Sequence, residues 1–254
     1  MKRALISFAL FFVVQIFAAI TGGIYAYASG FETNSDAFIM AMGIALLIGN
    51  LVLIGGYISF FYGKKDAERH DFRNFRLKPI FYATLALLLL ALGETLGLAP
   101  LGLDDPNTER FFTIMLASPL CLLNICVAGP VAEELVFRYG LLGGFLERGT
   151  KPWIAVLASA FCFAVIHGNE LQTPPAFISG VLLGVIYVRT RSLVPCIIAH
   201  VTNNVLALST MLRPDWENAL TAQPTVLLIG EGLLLAAAAF FLTFRIRKYA
   251  NRNN

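Results

Sequence analysis

Long apolar runs separated by short polar stretches repeat along this chain. A helix rises about 1.5 Å per residue, so about 20 apolar residues cross a hydrocarbon core of about 30 Å. Runs of that kind lie at approximately Ala4–Ala28, Ala37–Tyr62, Ile80–Leu98, Phe111–Leu146, Trp153–His167, Ala176–Val188, Leu193–Leu212 and Thr225–Phe244. The pattern predicts an all-α, polytopic transmembrane bundle of about eight membrane helices. Two runs are irregular. The fourth is too long for one crossing, and Pro119 and Gly129-Pro130 are expected to break or tilt it. The sixth is short, and its Gly180-x-x-x-Gly184 suits close contact with a neighbouring helix.

Composition agrees with that reading. The 254 residues are 57% hydrophobic and 14% charged, against about 25% charged in a soluble domain. Most of the chain therefore does not face water, and one integrated bundle fits better than separate domains. Cys121, Cys126, Cys162 and Cys196 all lie in apolar runs without C-x-x-C spacing, as small packing residues do. No phosphate-loop, dinucleotide or basic-aromatic pattern is present, so no nucleic-acid partner is expected.

The net charge of +3 matters less than its placement. With eight crossings and both termini cytoplasmic, 16 of the 19 Lys and Arg residues fall on the cytoplasmic side, leaving Arg110 and Arg213 opposite and Arg138 inside a span. Such a bias follows the positive-inside rule and points to a multi-pass cell membrane protein. Residues 64–78, which include His70, read as a solvated cytoplasmic loop. Lys2-Arg3, an apolar run and Ala26-Tyr27-Ala28 resemble a cleavable signal, but the run exceeds a signal core and a retained helix is favoured.

Ionisable groups in hydrocarbon cost about 2.5–3.5 kcal/mol or more on insertion scales, so those that persist pair or line a cavity. Three clusters stand out. In Glu133-Glu134-Leu-Val-Phe-Arg138, Glu134 and Arg138 are spaced for an ion pair on one helix face, while Glu133 points about 100° away. In Phe163-Ala-Val-Ile-His167, the histidine lies about as far from the polar turn near Arg148 and Lys151 as Glu133 does, so a helical hairpin sets the two level. In His200-Val-Thr-Asn-Asn204, an imidazole and a carboxamide stack one turn apart and can donate to one target. Taken singly, each cluster is equally compatible with an ordinary ion pair, a satisfied core histidine or a polar bond between helices. Both intramembrane histidines falling in such clusters argues for a shared site. His200 is only about nine residues from Arg191, so helix tilt or an entry point below the surface must bring it to the depth of Glu133. Glu94 and Glu231 lie outside these clusters and read as helix-end or inter-helix partners.

Glu-Glu-x-x-x-Arg, Phe-x-x-x-His and His-x-x-x-Asn, in this order on successive segments from about Pro130 to Asn204, resemble the CAAX prenyl endopeptidase and bacteriocin-processing (Abi, CPBP) family of intramembrane proteases. On that resemblance, residues 111–212 form the catalytic core. Residues 1–110 supply helices without a motif, and residues 213–254 the last helix and a basic tail. The resemblance implies that Glu133 is the general base for the attacking water and that His167 holds or polarises it. It implies that His200 and Asn204 stabilise the oxyanion, that Glu134 and Arg138 support Glu133, and that Phe163 shapes the cavity. The expected partners are the bilayer and a membrane-associated peptide or protein substrate, which a prenylated C-terminus would exemplify. The short loops suggest a bacterial inner membrane.

The chemistry is coherent, because peptide hydrolysis needs a base matched to the working pH and fixed donors where negative charge develops. Cys196 precedes His200 by four residues, but nothing in that segment orients the imidazole for thiol catalysis. Glu133, His167 and His200 could make a three-ligand zinc site, as in a metalloprotease, yet there is no HExxH and a metal-free glutamate site uses the same residues. Two other functions remain: a non-catalytic immunity or scaffolding protein of the same fold, and a proton-relaying transporter. The latter would be expected to show inverted repeats, and none is evident.

Overall fold

The computed structural model describes residues 2–61, 76–102, 106–168, 171–211 and 213–250. The predicted 64–78 loop, including His70, falls almost wholly outside them. Among the described residues there are ten helices and no strand. They are α1 (Lys2–Ala28), α2 (Asp36–Phe61), α3 (Leu77–Leu98), α4 (Pro106–Leu116), α5 (Pro119–Glu147), α6 (Pro152–Val165), α7 (Thr173–Thr190), α8 (Val194–Met211), α9 (Pro214–Thr221) and α10 (Thr225–Ala250).

Seven of these (α1, α2, α3, α5, α7, α8 and α10) are long and apolar enough to cross a membrane, so this is a multi-pass membrane helical bundle. Large apolar side chains such as Val13, Phe17, Ile24, Leu233 and Leu234 face outward, the arrangement a lipid surround requires. The eighth predicted run is the short α6. Its 14 residues rise about 21 Å, less than the full thickness of a hydrocarbon core. Conversely, the run predicted at Ala176–Val188 extends to 18 residues as α7, enough to cross.

The fourth predicted run divides differently from expectation. It breaks at Ala117-Ser118, where the extended Ser118 caps α5 by accepting a hydrogen bond from the Cys121 N–H and Pro119 takes the first turn. Gly129-Pro130 does not end the helix. It sits in an α-helical turn between two π-helical stretches, Asn124–Ala128 and Glu134–Leu142. A π stretch widens the helix and absorbs the proline without a stop.

α5 is the axis of the bundle, with every residue from Glu134 to Gly144 buried. α1 packs directly on it. A Cβ on Gly144 would lie 2.9 Å from the Ala4 backbone nitrogen, and one on Gly140 would meet Ser7. The Arg3 side chain closes that contact, bonding Glu147 at 2.6 Å and stacking on the Tyr139 ring. On the other side, Ser159 of α6 donates to the Phe137 carbonyl at 2.7 Å. The predicted Gly180/Gly184 contact is with α6, against Ala160, Phe163 and Val156.

Candidate active site

Glu133 and Glu134 lie where α5 passes from its α-helical turn into the second π stretch. Glu134 is fully buried, and its Oε1 stands 3.0 Å from Arg138 Nη1, the ion pair expected from the spacing. Nη1 sits off the hydrogen-bond direction, so the contact is one of charge. Arg138 is itself buried; its Nη2 donates to the Gly180 carbonyl of α7 at 3.4 Å, and its guanidinium lies 4.5 Å from the Phe163 ring centroid. A cation so enclosed is tolerable because a carboxylate, a carbonyl and an aromatic face all meet it.

The same Glu134 oxygen takes a second contact that spacing did not foretell. His200 Nδ1 is 2.9 Å from Glu134 Oε1. An ionised carboxylate only accepts, so Nδ1 carries the hydrogen and the ring is oriented with Nε2 pointing away. That Nε2 lies 3.7 Å from Glu133 Oε2. The four side chains thus form a chain: Arg138, Glu134, His200, Glu133. Exposure distinguishes the two carboxylates. The Glu133 side chain is 23% exposed and that of Glu134 is 0%, so only Glu133 is open to water or a substrate.

The depth of His200 has a structural explanation. In the turn from α7 to α8, Arg191 is exposed but Ser192 and Leu193 are enclosed, at 1% and 0% exposure. Arg191 takes a left-handed conformation there, φ 49°, and Ser192 is held by Thr190. α8 therefore starts below the surface, and six residues carry it from Val194 to His200 beside the glutamates.

His167 lies two residues beyond the end of α6, in a turn closed by the left-handed Gly168 (φ 61°). Its Nδ1 donates to the Phe163 carbonyl at 2.9 Å, which leaves Nε2 as the free ring nitrogen. No ion pair joins His167 to Glu133 among the described residues. The histidines are related through Phe163, whose ring is 4.9 Å from His167 and 5.8 Å from His200, edge-on to both. Asn204, one turn beyond His200, donates through Nδ2 to the Ile125 carbonyl at 3.0 Å. One of its two amide hydrogens is thereby committed.

Among the described residues no three His, Cys, Asp or Glu side chains converge to hold a metal ion. Both imidazole Nδ1 atoms are already engaged, which leaves two Nε2 atoms and Glu133, and these do not form a ligand group as placed. Of the two glutamates in apolar spans outside the motifs, Glu231 accepts from Gln223 at 3.4 Å, whereas Glu94 has a buried Oε1 without a partner.

Comparison with known proteins bears on this arrangement. Residues 115–206 match the family model described as Type II CAAX prenyl endopeptidase Rce1-like. That stretch is similar to the Rce1-like family. A Bacillus subtilis (strain 168) protein provisionally named membrane peptidase YdiL is 29% identical over 136 residues, covering 53% of this chain and 55% of its own. The membrane-embedded CAAX protease MroQ of Staphylococcus aureus (strain USA300) is 31% identical over 125 residues, 47% of this chain and 51% of its own. The chain thus spans about half the length of the curated relatives it matches. No solved structure matches it.

All seven residues singled out from the sequence lie inside the Rce1-like stretch. The fold joins Glu133, Glu134, Arg138, Phe163, His167 and His200 into one cluster, and ties Asn204 to the wall of α5. Two site contacts were not anticipated: the Glu134–His200 bond and the Ile125 carbonyl beneath Asn204. The first had no local signal, since 66 residues separate the partners. The second had one. In a π stretch each carbonyl looks five residues on for its donor, and for Ile125 that residue is Pro130, which has no N–H.

Proposed function

We propose that this protein is a membrane-embedded endopeptidase in which Glu133 activates water against a peptide carbonyl. One observation carries the reading: the partly exposed Glu133 faces an imidazole whose far nitrogen is fixed by a buried carboxylate–guanidinium pair. This is the arrangement of a reacting group, its partner and an orienting group that hydrolytic sites require. Glu133 takes a proton from water as the water oxygen bonds to the carbonyl carbon and the carbonyl electron pair moves to oxygen. The Nε2 of His167 accepts the water's other hydrogen and so holds it. The oxyanion is met by the remaining Asn204 amide hydrogen and by the Nε2–H of His200 in its imidazolium form, which the Glu134 carboxylate at Nδ1 supports. Collapse breaks the C–N bond, and Glu133 returns its proton to the leaving amine.

Because no three-ligand set converges, the reading derives no step from a metal. The substrate is a membrane-associated peptide or protein, and the reaction lies at the cytoplasmic side of a bacterial inner membrane with both termini cytoplasmic. The Lys and Arg distribution supports that orientation.

The deciding experiment compares the peptides of a strain carrying Glu133→Ala with those of the parent. The reading predicts a membrane-associated peptide that stays uncleaved in the variant and is cut by the purified protein in liposomes. A well-placed general base contributes about 10²–10⁴-fold, so Glu133→Gln loses at least that much, and a chelator leaves the rate unchanged. Full cleavage by folded Glu133→Gln and His167→Ala proteins would sink the proposal, and a phenotype that survives both would favour a scaffolding or immunity role.

A further inference from the structure

The helices without a motif contain a polar device of their own. Gln15 of α1 donates to Asn50 of α2, Nε2 to Oδ1, at 2.7 Å. Asn50 in turn donates to Asn124 of α5, Nδ2 to Oδ1, at 2.8 Å. Three uncharged carboxamides from three membrane helices are thus joined head to tail, and Asn50 is buried, at 6% exposure. A bare interhelical amide bond holds helices together, and many membrane proteins use one. Here the chain ends at a particular place. Asn124 is the first residue of the π stretch Asn124–Ala128, and its backbone carbonyl accepts the Gly129 N–H five residues on.

That register leaves the next carbonyl without a backbone donor. Ile125 would look to Pro130, which has none. Asn204 Nδ2 supplies the missing hydrogen bond at 3.0 Å. The absence of a side chain at Gly129 leaves the region open, since a Cβ there would lie 3.0 Å from the Asn124 carbonyl and 3.8 Å from Asn50 Nδ2. The path therefore runs from Gln15 to Asn50 to Asn124, through one peptide unit to Ile125, and across to Asn204. One turn before Asn204, on the same helix face, stands His200.

We propose that Gln15, Asn50 and Asn124 are positioning residues that hold the first π stretch of α5 in register, so that the Ile125 carbonyl fixes the Asn204 amide for the reaction. The inference rests on the protease reading. It assigns a role in the chemistry to α1 and α2, which lie outside the stretch matched by the family model. Asn50 is the central member, because its amide both accepts and donates. A leucine there keeps the volume and removes both bonds at once.

The test is a double-mutant cycle in liposomes on the peptide identified with Glu133→Ala. Asn50→Leu is expected to lower kcat about tenfold, the scale of one misplaced hydrogen-bonding group, with KM unchanged. Gln15→Leu, one bond further out, lowers it less. Asn204→Ala lowers kcat at least as much as Asn50→Leu, and the double variant Asn50→Leu/Asn204→Ala is no slower than Asn204→Ala alone. Multiplying losses in the double variant, or a wild-type kcat in folded Asn50→Leu protein, overturns the inference. Should Asn50→Leu not fold, Gln15→Leu with Asn204→Ala forms the same cycle. These outcomes are separable from failure of the protease reading, which shows as cleavage persisting in Glu133→Gln.

Discussion

The α3–α10 seam and the α5–α8 contact both join membrane helices, by opposite means. At the seam, backbone meets backbone around the glycines. A Cβ on Gly93 would lie 2.8 Å from the Gly232 carbonyl, and one on Gly232 would lie 2.7 Å from that of Gly93 and 2.9 Å from Gly97 Cα. Small residues let the helices close, and van der Waals contact suffices because lipid offers no competing hydrophobic gain. At the α5–α8 contact, four ionisable side chains meet instead. A bundle that can associate through glycine has no need of buried charge for cohesion. The charged cluster is an expense the fold carries without need of it for cohesion, and it leaves Glu133 partly open.

The comparison can be broken most forcefully at Arg138. Arg138→Leu strands Glu134 in a fully buried position, and breaking a buried pair costs about 3–5 kcal/mol. A large drop in the thermal midpoint in detergent is expected, together with loss of cleavage. Glu134→Leu/Arg138→Leu then recovers most of the midpoint while activity stays lost, because no charge remains unpaired. Recovery of activity as well would mean that the pair is structural only. Next in size, Gly232→Leu drives a side chain into backbone at the seam. Overpacking of that kind costs about 1–3 kcal/mol, seen as a lower midpoint with kcat per folded molecule intact. Smallest is the stability change in Asn50→Leu. Interhelical polar bonds in membranes average about 0.6 kcal/mol, so the midpoint should move little even as kcat falls. A collapse of the midpoint would place the carboxamides with the seam rather than with the site.

Much of the site was legible before the fold was known. Glu134 and Arg138 could be paired because four residues separate them, and the pairing survives in a π stretch where the local geometry differs from the α-helix that suggested it. Phe163 and His167 are similarly local. The errors were those of helix length and break point. The apolar run Trp153–His167 is helical only to Val165, which leaves His167 in a turn. Pro119 and Gly129-Pro130 looked alike as breakers, yet only the first follows an actual end, since π stretches on both sides accommodate the second.

The sequence by itself determined that this is a multi-pass helical membrane protein, because apolar length against bilayer thickness is a property of the chain alone. It also placed the costly residues in three clusters, because hydropathy makes each of them anomalous where it stands. What only the tertiary structure decided is their alignment. Burial of the Ser192-Leu193 turn brings His200 level with Glu133, and the choice of Glu134 as its partner depends on a contact across 66 residues. Relative exposure then assigned the two adjacent glutamates to different tasks, one enclosed against Arg138 and one open. Spacing encodes which face of a helix a residue occupies; depth, partner and access depend on what packs against that face.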